Sequence, residues 1–383
     1  MKDYQVIWRG PVLDATGYGT ASREYALALD RQGVNVKIET YTWNFPFTIE
    51  NREKKERLQQ LIEKPASNDK PKILIYHSPP AFIDKKEREQ YEYCLLNTVW
   101  ETNKIPESWN AIIRTFDAVC VPCTHNIKAL KNSGVSIPIF LVPHGADTTM
   151  YHPANPRITF PEGEGRFVFV SVFDFQHRKN PESLLRAYWE AFTSDDQVLL
   201  VIKTYGSSRK EIRSAIMNYK RKLGYGENTA PFYVMTGICE EKQLRGLYTG
   251  GDAFVLPTRG EGVGLPFIEA LSSGLPVIAT GWGGQMDFLN EKNSFLVKYK
   301  LQSPSISMHN ENAISTTYPS FAEKGQLWAE ADIEHLKQQM RYAFLNPRLC
   351  KQKGAQGRQD MLKMTWEKAG KAMIKAIERL MGH

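Results

Sequence analysis

Two glutamates bracket a glycine-rich turn in the segment Thr258-Arg-Gly-Glu-Gly-Val-Gly-Leu-Pro-Phe-Ile-Glu269. The apolar run before it, Ala253-Phe-Val-Leu-Pro257, predicts a short buried strand, and Pro266 suits the first position of a helix. The free N–H groups and the dipole of a helix start attract an anion, and glycines let the backbone approach it. The segment therefore predicts a strand, a turn and a helix around a diphosphate, with Glu269 placed to accept hydrogen bonds from hydroxyl groups, as in a sugar nucleotide.

Strands and helices alternate in both halves of the chain. Apolar strands that alternate with helices predict parallel doubly wound sheets, and two such sets predict two Rossmann-like domains. We expect an N-terminal domain over residues 1–152 and a C-terminal domain over residues 153–364. Within the first, the pattern predicts a helix at about 85–97, and within the second, the polar stretch 301–325 predicts a loop insertion.

Composition narrows the class of protein. The chain has 383 residues, a formal net charge of +7 and five cysteines, which form no disulfide framework. It has no apolar run of membrane-spanning length and no signal peptide, so we expect a cytoplasmic protein. Basic runs at Lys85-Lys86 and beyond Lys351 leave peripheral contact with the inner face of a membrane as an alternative. No recognition motif for nucleic acid is present, and we expect no nucleic-acid partner.

The spacing of the two glutamates also points to a known family. The pattern Glu261-Gly-x-Gly-x-Pro-x-x-Glu269 resembles the donor-site signature of the retaining glycosyltransferases of family 4, and the resemblance is strongest from about residue 165 to 300. It implies an α/β protein with the GT-B fold, in which two Rossmann-like doubly wound domains face a central cleft. It also implies that the last helix, about 365–383, packs back on the N-terminal domain. The donor-binding residues implied by the resemblance are Gly17, Gly19, Arg178, Lys179, Glu261, Gly262, Val263, Gly264, Leu265 and Glu269.

The resemblance assigns roles to some of these residues. Lys179 matches the family's lysine that contacts the diphosphate, whereas the family's arginine five residues earlier is replaced by Asp174, and Arg178 could supply the missing charge. Glu261 is expected to bind the donor sugar and Glu269 the ribose, so the expected catalytic set is Glu261, Lys179 and Arg178. For the acceptor, the candidates are His77 and Glu101, which follow strands of the N-terminal domain.

The implied activity is retaining transfer of a hexose-type sugar from a UDP- or GDP-linked donor to a hydroxyl of a glycan, lipid-linked or protein-linked acceptor. We expect no metal and no other cofactor, because side chains and helix dipoles hold the diphosphate in this family and no Asp-x-Asp motif occurs in a suitable loop. One alternative is a catalytically silent GT-B subunit that binds a sugar nucleotide or glycan and partners another enzyme. Another is an NAD-dependent oxidoreductase, since Gly17-x-Gly19 and Glu39 imitate a dinucleotide fingerprint.

Overall fold

The computed structural model describes residues 3–309 and 313–382 of the chain. They form two units, of which the first contains the described residues up to Gly145 and from Met364 onward, and the second contains those from Ala146 to Lys363. The division follows Gly145 and so precedes the predicted boundary at residue 152. Within these described residues, no helix has the length and apolar content that a bilayer crossing requires.

The first unit is built on a six-stranded parallel sheet with the strand order β2-β1-β3-β4-β5-β6. Its strands are β1 (Gln5–Gly10), β2 (Asn35–Thr40), β3 (Lys72–His77), β4 (Tyr93–Asn97), β5 (Ala118–Val121) and β6 (Ile139–Leu141). Its first helices are α1 (Gly17–Arg31), α2 (Arg52–Glu63), α3 (Lys85–Arg88), α4 (Glu107–Ile113) and α5 (Thr124–Asn132). The single helix predicted at 85–97 was wrong, because the chain ends α3 at Arg88 and then enters the central strand β4.

The second unit contains another six-stranded parallel sheet, ordered β12-β11-β10-β7-β8-β9. Its strands are β7 (Phe167–Val172), β8 (Val198–Lys203), β9 (Phe232–Met235), β10 (Ala253–Leu256), β11 (Val277–Thr280) and β12 (Ser294–Val297), and β13 (Tyr299–Gln302) pairs antiparallel with β14 (Trp328–Ala331). Its helices are α6 (Pro181–Ala191), α7 (Arg209–Lys222), α8 (Glu241–Gly250), α9 (Leu265–Ser272), α10 (Pro304–Met308), α11 (Ile333–Leu345) and α12 (Pro347–Met361). The predicted insertion at 301–325 therefore contains the end of β13 and all of α10, and its residues 310–312 lie outside the described residues.

The last helix, α13 (Trp366–Leu380), belongs to the first unit although it follows the second in the chain. Its buried side chains include Met373 and Ile377, which lie in the same hydrophobic core as Tyr25 and Leu29 of α1. Gly370 allows the two helices to approach closely, since a Cβ atom there would lie 3.0 Å from the Cβ of Ala28.

The order of the second sheet positions the candidate site. The chain runs from β7 outward to β8 and β9, then returns to form β10 on the other side of β7. The loops that follow β7 and β10 therefore leave neighbouring strands at the same edge, where open α/β sheets bind their ligands. The predicted fold class, α/β with two Rossmann-like doubly wound sheets, is confirmed by the two sheets.

Candidate functional site

The segment from β10 to α9 consists of a strand, a glycine-rich turn and a helix, as the sequence predicts. Gly264 has a φ of +85° and directly precedes α9, which starts at Leu265 with Pro266 in its first turn. A Cβ atom at Gly264 would lie 2.5 Å from Cδ2 of Phe267, so both backbone conformation and space require glycine here. Gly262 and Val263 are buried in the same turn. The turn thus holds the backbone at the start of α9 in one conformation.

The turn after β7 is bound directly to the turn after β10. It forms one turn of 3₁₀ helix over His177–Lys179, and Asn180 then adopts the left-handed conformation and caps α6. The backbone oxygen of Arg178 accepts a hydrogen bond of 2.7 Å from the N–H of Arg259, and Nη1 of Arg178 donates to the oxygen of Gly260 at 2.6 Å. These bonds hold the two predicted cations beside the glycine turn.

Glu261 lies between those two cations. Its Oε1 is 2.6 Å from Nζ of Lys179, and its Oε2 is 3.1 Å from Nη1 of Arg178. All three side chains are largely buried. Burial opposes the ionisation of Glu261, but the charges and hydrogen bonds of Lys179 and Arg178 outweigh it and hold the pKa of this carboxyl below its usual range. Glu261 is therefore an ionised carboxylate held between the two cations that the resemblance assigns to the diphosphate.

A second group of ionic side chains braces these loops and was not predicted as a unit. Arg259 contacts Glu330 with Nε–Oε2 at 2.7 Å and Glu182 with Nη1–Oε2 at 3.4 Å, so it serves to join loops. Glu182 also accepts hydrogen bonds from the N–H of Ile314 at 3.0 Å and from the hydroxyl of Ser315 at 2.8 Å. The insertion is in this way attached to the start of α6, beside the loop that carries Lys179. Nothing in the local spacing of these residues indicates the contact.

Asp174, which stands where the resemblance places an arginine, lies near the same cluster. Burial raises its pKa, while a hydrogen bond from Gln176 and the positive charges of Lys179 and Arg178 act in the opposite direction. Arg178 thus carries a positive charge close to the position where the expected arginine is missing.

Glu269 contacts different residues from those that contact Glu261. Its Oε2 accepts a hydrogen bond of 2.6 Å from the hydroxyl of Tyr248, and the hydroxyl of Tyr151 also favours the ionised form of this carboxyl. Burial raises the pKa of Glu269 to about 7, against the effect of the two tyrosine hydrogen bonds. Sequence reasoning missed both tyrosines, because one lies on α8 and the other in the segment before β7, far from the glutamate in the chain.

In the first unit, the predicted glycines lie at the start of α1. Gly17 is exposed, whereas a Cβ atom at Gly19 would lie 2.1 Å from the backbone oxygen of Asp14. The hydroxyl of Thr16 caps the helix by accepting from the N–H of Gly19 at 3.1 Å. Gly19 is therefore needed for packing of its own loop, a reason that the sequence pattern did not show.

The two acceptor candidates differ in their surroundings. His77, at the end of β3, is 2 % exposed, and its Nδ1 lies 2.6 Å from the hydroxyl of Ser22. The ring centroids of Tyr18 and His77 are 4.9 Å apart, and burial holds the pKa of His77 well below its usual range. Glu101 is partly buried, and its charge acts on Tyr18, which bonds Thr98. Tyr18 thus lies close to both acceptor candidates, and His77 is the more deeply buried of the two.

Comparisons with known proteins agree with this geometry. Residues 164–304 match the family model described as "Glycosyl transferases group 1". The chain is 45% identical over 58 residues to sulfoquinovosyl transferase SQD2 of Arabidopsis thaliana. These residues make up 15% of this chain and 11% of that protein. It is 30% identical over 152 residues to D-inositol 3-phosphate glycosyltransferase of Nocardia farcinica. This alignment covers 38% of this chain and 33% of that protein. The matched residues thus span about a tenth to a third of the length of these curated relatives.

A solved structure shows the same fold over the whole chain. HepE of Anabaena, in complex with UDP and glucose, superimposes with a TM-score of 0.65 at 12% identity and covers 98% of this chain and 100% of that one. The family match falls on the unit that contains β7, β10 and the turns that join Lys179 to Glu261. Residues 164–304 thus resemble the group 1 glycosyl transferases, and the two six-stranded parallel sheets agree with the GT-B fold that this resemblance implies.

Proposed function

We propose that this protein is a retaining glycosyltransferase that moves a hexose-type sugar from a nucleoside diphosphate to an acceptor hydroxyl. The observation that carries the proposal is the pairing of Lys179 and Arg178 with Glu261 at the edge formed by β7 and β10. Two nearly buried cationic side chains at this edge can stabilise the negative charge that a departing diphosphate develops. The complex of HepE with UDP and glucose supports a ligand of this class.

Each group has a defined task in the proposed reaction. The bond between the sugar carbon and the diphosphate oxygen breaks, while the acceptor oxygen attacks the same face of the sugar. Lys179 and Arg178 stabilise the negative charge that moves onto the diphosphate. Glu261 binds hydroxyls of the donor sugar, and Glu269 binds those of the ribose. The acceptor proton passes to the departing diphosphate oxygen, so no side chain has to take it.

The donor is proposed to carry UDP or GDP, and the acceptor hydroxyl to belong to a glycan or to a lipid-linked or protein-linked glycoconjugate. We assign acceptor recognition to the first unit, with His77 and Glu101 as its candidate residues. The reaction is proposed to need no metal ion, because cationic side chains compensate the diphosphate. Activity that persists in excess chelator would support this, and loss of activity that Mg²⁺ or Mn²⁺ restores would contradict it.

A thermal-shift panel of UDP-, GDP-, ADP- and TDP-sugars, with NAD alongside, tests the donor class. A ligand that binds only the folded protein raises its melting temperature with concentration, so the true donor should separate from the rest. Stabilisation by NAD alone would contradict the proposal. The donor found in this way is then incubated with candidate acceptors, and the anomeric configuration of the product is read by NMR. Retention is expected, and inversion would exclude the proposed mechanism.

The catalytic assignment is tested with Lys179→Ala. Removal of a group that stabilises developing charge usually costs about a hundredfold or more in rate. The matched control is Lys210→Ala, which removes an exposed lysine of the same unit. Equal turnover by both variants would show that Lys179 does not touch the diphosphate. Donor binding without turnover by the wild-type protein, in every acceptor mixture, would favour the silent binding subunit.

A further inference from the structure

Glu269 is held by two tyrosines that belong to different parts of the second unit. Tyr248 lies on α8 and is fully buried, and its hydroxyl donates to Oε2 of Glu269 at 2.6 Å. Tyr151 lies in the segment before β7, and its hydroxyl favours the ionised form of the same carboxyl. The two rings meet edge to face, with centroids 5.8 Å apart and planes at 80°. The carboxyl of Glu269 therefore has one defined orientation before any ligand arrives.

Tyr151 is itself fixed in place. Its backbone oxygen accepts a hydrogen bond of 2.9 Å from Nη1 of Arg358 on α12, and its N–H donates to the oxygen of Asp147 at 2.9 Å. The charges that act on Tyr151 besides Glu269 are those of Glu241 and Asp147, which are both acidic and disfavour a tyrosinate. Tyr151 thus remains a neutral hydrogen-bond donor over the physiological pH range.

We propose that Tyr248, with Tyr151 packed against its ring, keeps Glu269 oriented and ionised for the ribose, and that both tyrosines are positioning residues. The inference rests on the proposed function, since it takes Glu269 as the ribose contact. An ionised carboxylate accepts hydrogen bonds from hydroxyls more strongly than the neutral acid does. The tyrosine hydroxyls favour the ionised form, because they donate to it.

The direction of the pH effect follows from burial. Burial raises the pKa of Glu269 to about 7, and the hydrogen bonds from Tyr248 and Tyr151 act against this rise. Above that value the carboxylate is present for the ribose, and below it the proton must be removed before binding. One pH unit below the pKa, only about a tenth of the sites are ionised. Nucleotide binding should therefore weaken as the pH falls from 8 to 6.

The test measures the affinity for UDP, and in parallel for GDP, by calorimetry between pH 6 and pH 9. The diphosphate titrates in the same range, so each wild-type value is divided by the value for Glu269→Gln at the same pH. This ratio of association constants is expected to fall about tenfold from pH 8 to pH 6. A ratio that does not change with pH would overturn the inference. If neither UDP nor GDP bound at any pH, the proposed function would fail as well.

Tyr248→Phe and Tyr151→Phe separate positioning from mere packing. Each variant removes one donor to the carboxylate while it keeps the ring, so the midpoint of the pH profile should move upward, with affinity reduced at pH 7 and recovered near pH 9. A structural role would lower affinity equally at every pH, and that result would overturn the inference. The matched control is Tyr342→Phe, a 51 % exposed tyrosine of α11 in the same unit, whose profile should coincide with that of the wild type.

Discussion

Nζ of Lys179 lies 2.6 Å from Oε1 of Glu261, a residue 82 positions further along the chain. The carboxylate of Glu261 is therefore a counter-ion of the cations that are proposed to receive the diphosphate. An arriving diphosphate has to share these cations with Glu261. The ion pair thus stabilises the folded unit and competes with the proposed diphosphate for the same cations.

Glu261→Ala should destabilise the second unit and bind nucleoside diphosphate more tightly. Removal of one partner from a buried ion pair costs about 3–5 kcal/mol, because the remaining charges lose their compensation. The ligand then supplies that compensation, so UDP or GDP should raise the melting temperature of the variant more than that of the wild type. Calorimetric unfolding with and without nucleotide measures both effects. A smaller ligand-induced shift in the variant would show that Glu261 does not compete for Lys179 and Arg178.

Glu182 should make the second unit sensitive to acid in a defined range. Burial opposes its ionisation, but His177, Arg259 and the N–H of Ile314 lower its pKa to about 2. A carboxyl with a lowered folded-state pKa stabilises the protein above its unfolded value, and this stability is lost as the pH falls from about 4.5 towards 2.

Urea unfolding of the wild type and of Glu182→Gln checks this expectation. The difference in unfolding free energy should be about 3 kcal/mol at pH 6 and should shrink as the pH approaches 2. Ser315→Ala removes only one of the bonds to this carboxyl, so it should give the same trend with a smaller amplitude. A difference that stayed constant from pH 6 to pH 2.5 would mean that the charge of Glu182 does not contribute to the free energy of unfolding.

Two buried histidines should make the first unit less stable as the pH falls below about 6.5. Burial lowers the pKa of His144 to about 3, and burial together with His144 holds the pKa of His77 well below its usual range. The folded state then binds fewer protons than the unfolded chain, so stability decreases by about 1.4 kcal/mol per pH unit for each histidine.

His144→Phe tests this in urea unfolding between pH 5 and pH 7.5. Phenylalanine keeps an aromatic ring beside Tyr25 and Trp366, whose ring centroids each lie 5.6 Å from that of His144. We expect the variant to lose about half of the pH dependence attributed to the two histidines. An unchanged slope would place the acid sensitivity elsewhere in the chain.

Gly19→Val should disturb the loop before α1 and leave the second unit intact. The first side-chain carbon would lie 2.1 Å from the backbone oxygen of Asp14 and 3.0 Å from that of Pro11, so the loop must move. Gly17→Ala, at an exposed position of the same turn, is the matched control. Hydrogen exchange should increase over residues 11–20 in Gly19→Val alone, while nucleotide binding by the second unit persists. Unchanged protection from hydrogen exchange in that loop would contradict the steric explanation for Gly19.

The second unit shows how much of the site the sequence could predict. The strand, the glycine turn and α9 could be predicted because local preferences agree at Gly264, Pro266 and the apolar run before them. By contrast, β4 was missed, because a short apolar run is compatible with either a strand or a helix segment until its neighbours in the sheet are known. The partners of Glu269 and Glu182 were also missed. They come from distant segments whose contacts depend on sheet order and on the insertion.

Helix α13 has a consequence for the biosynthesis of the protein. It supplies buried side chains such as Met373 and Ile377 to the core of the first unit, yet it follows Lys363, the last residue of the second. The ribosome therefore completes the whole second unit before it delivers the final helix of the first. Domains usually fold in the order of their synthesis. Here the later unit is contiguous and can fold first, while the apolar residues of α1 that pack with α13 stay uncovered until α13 has been synthesised.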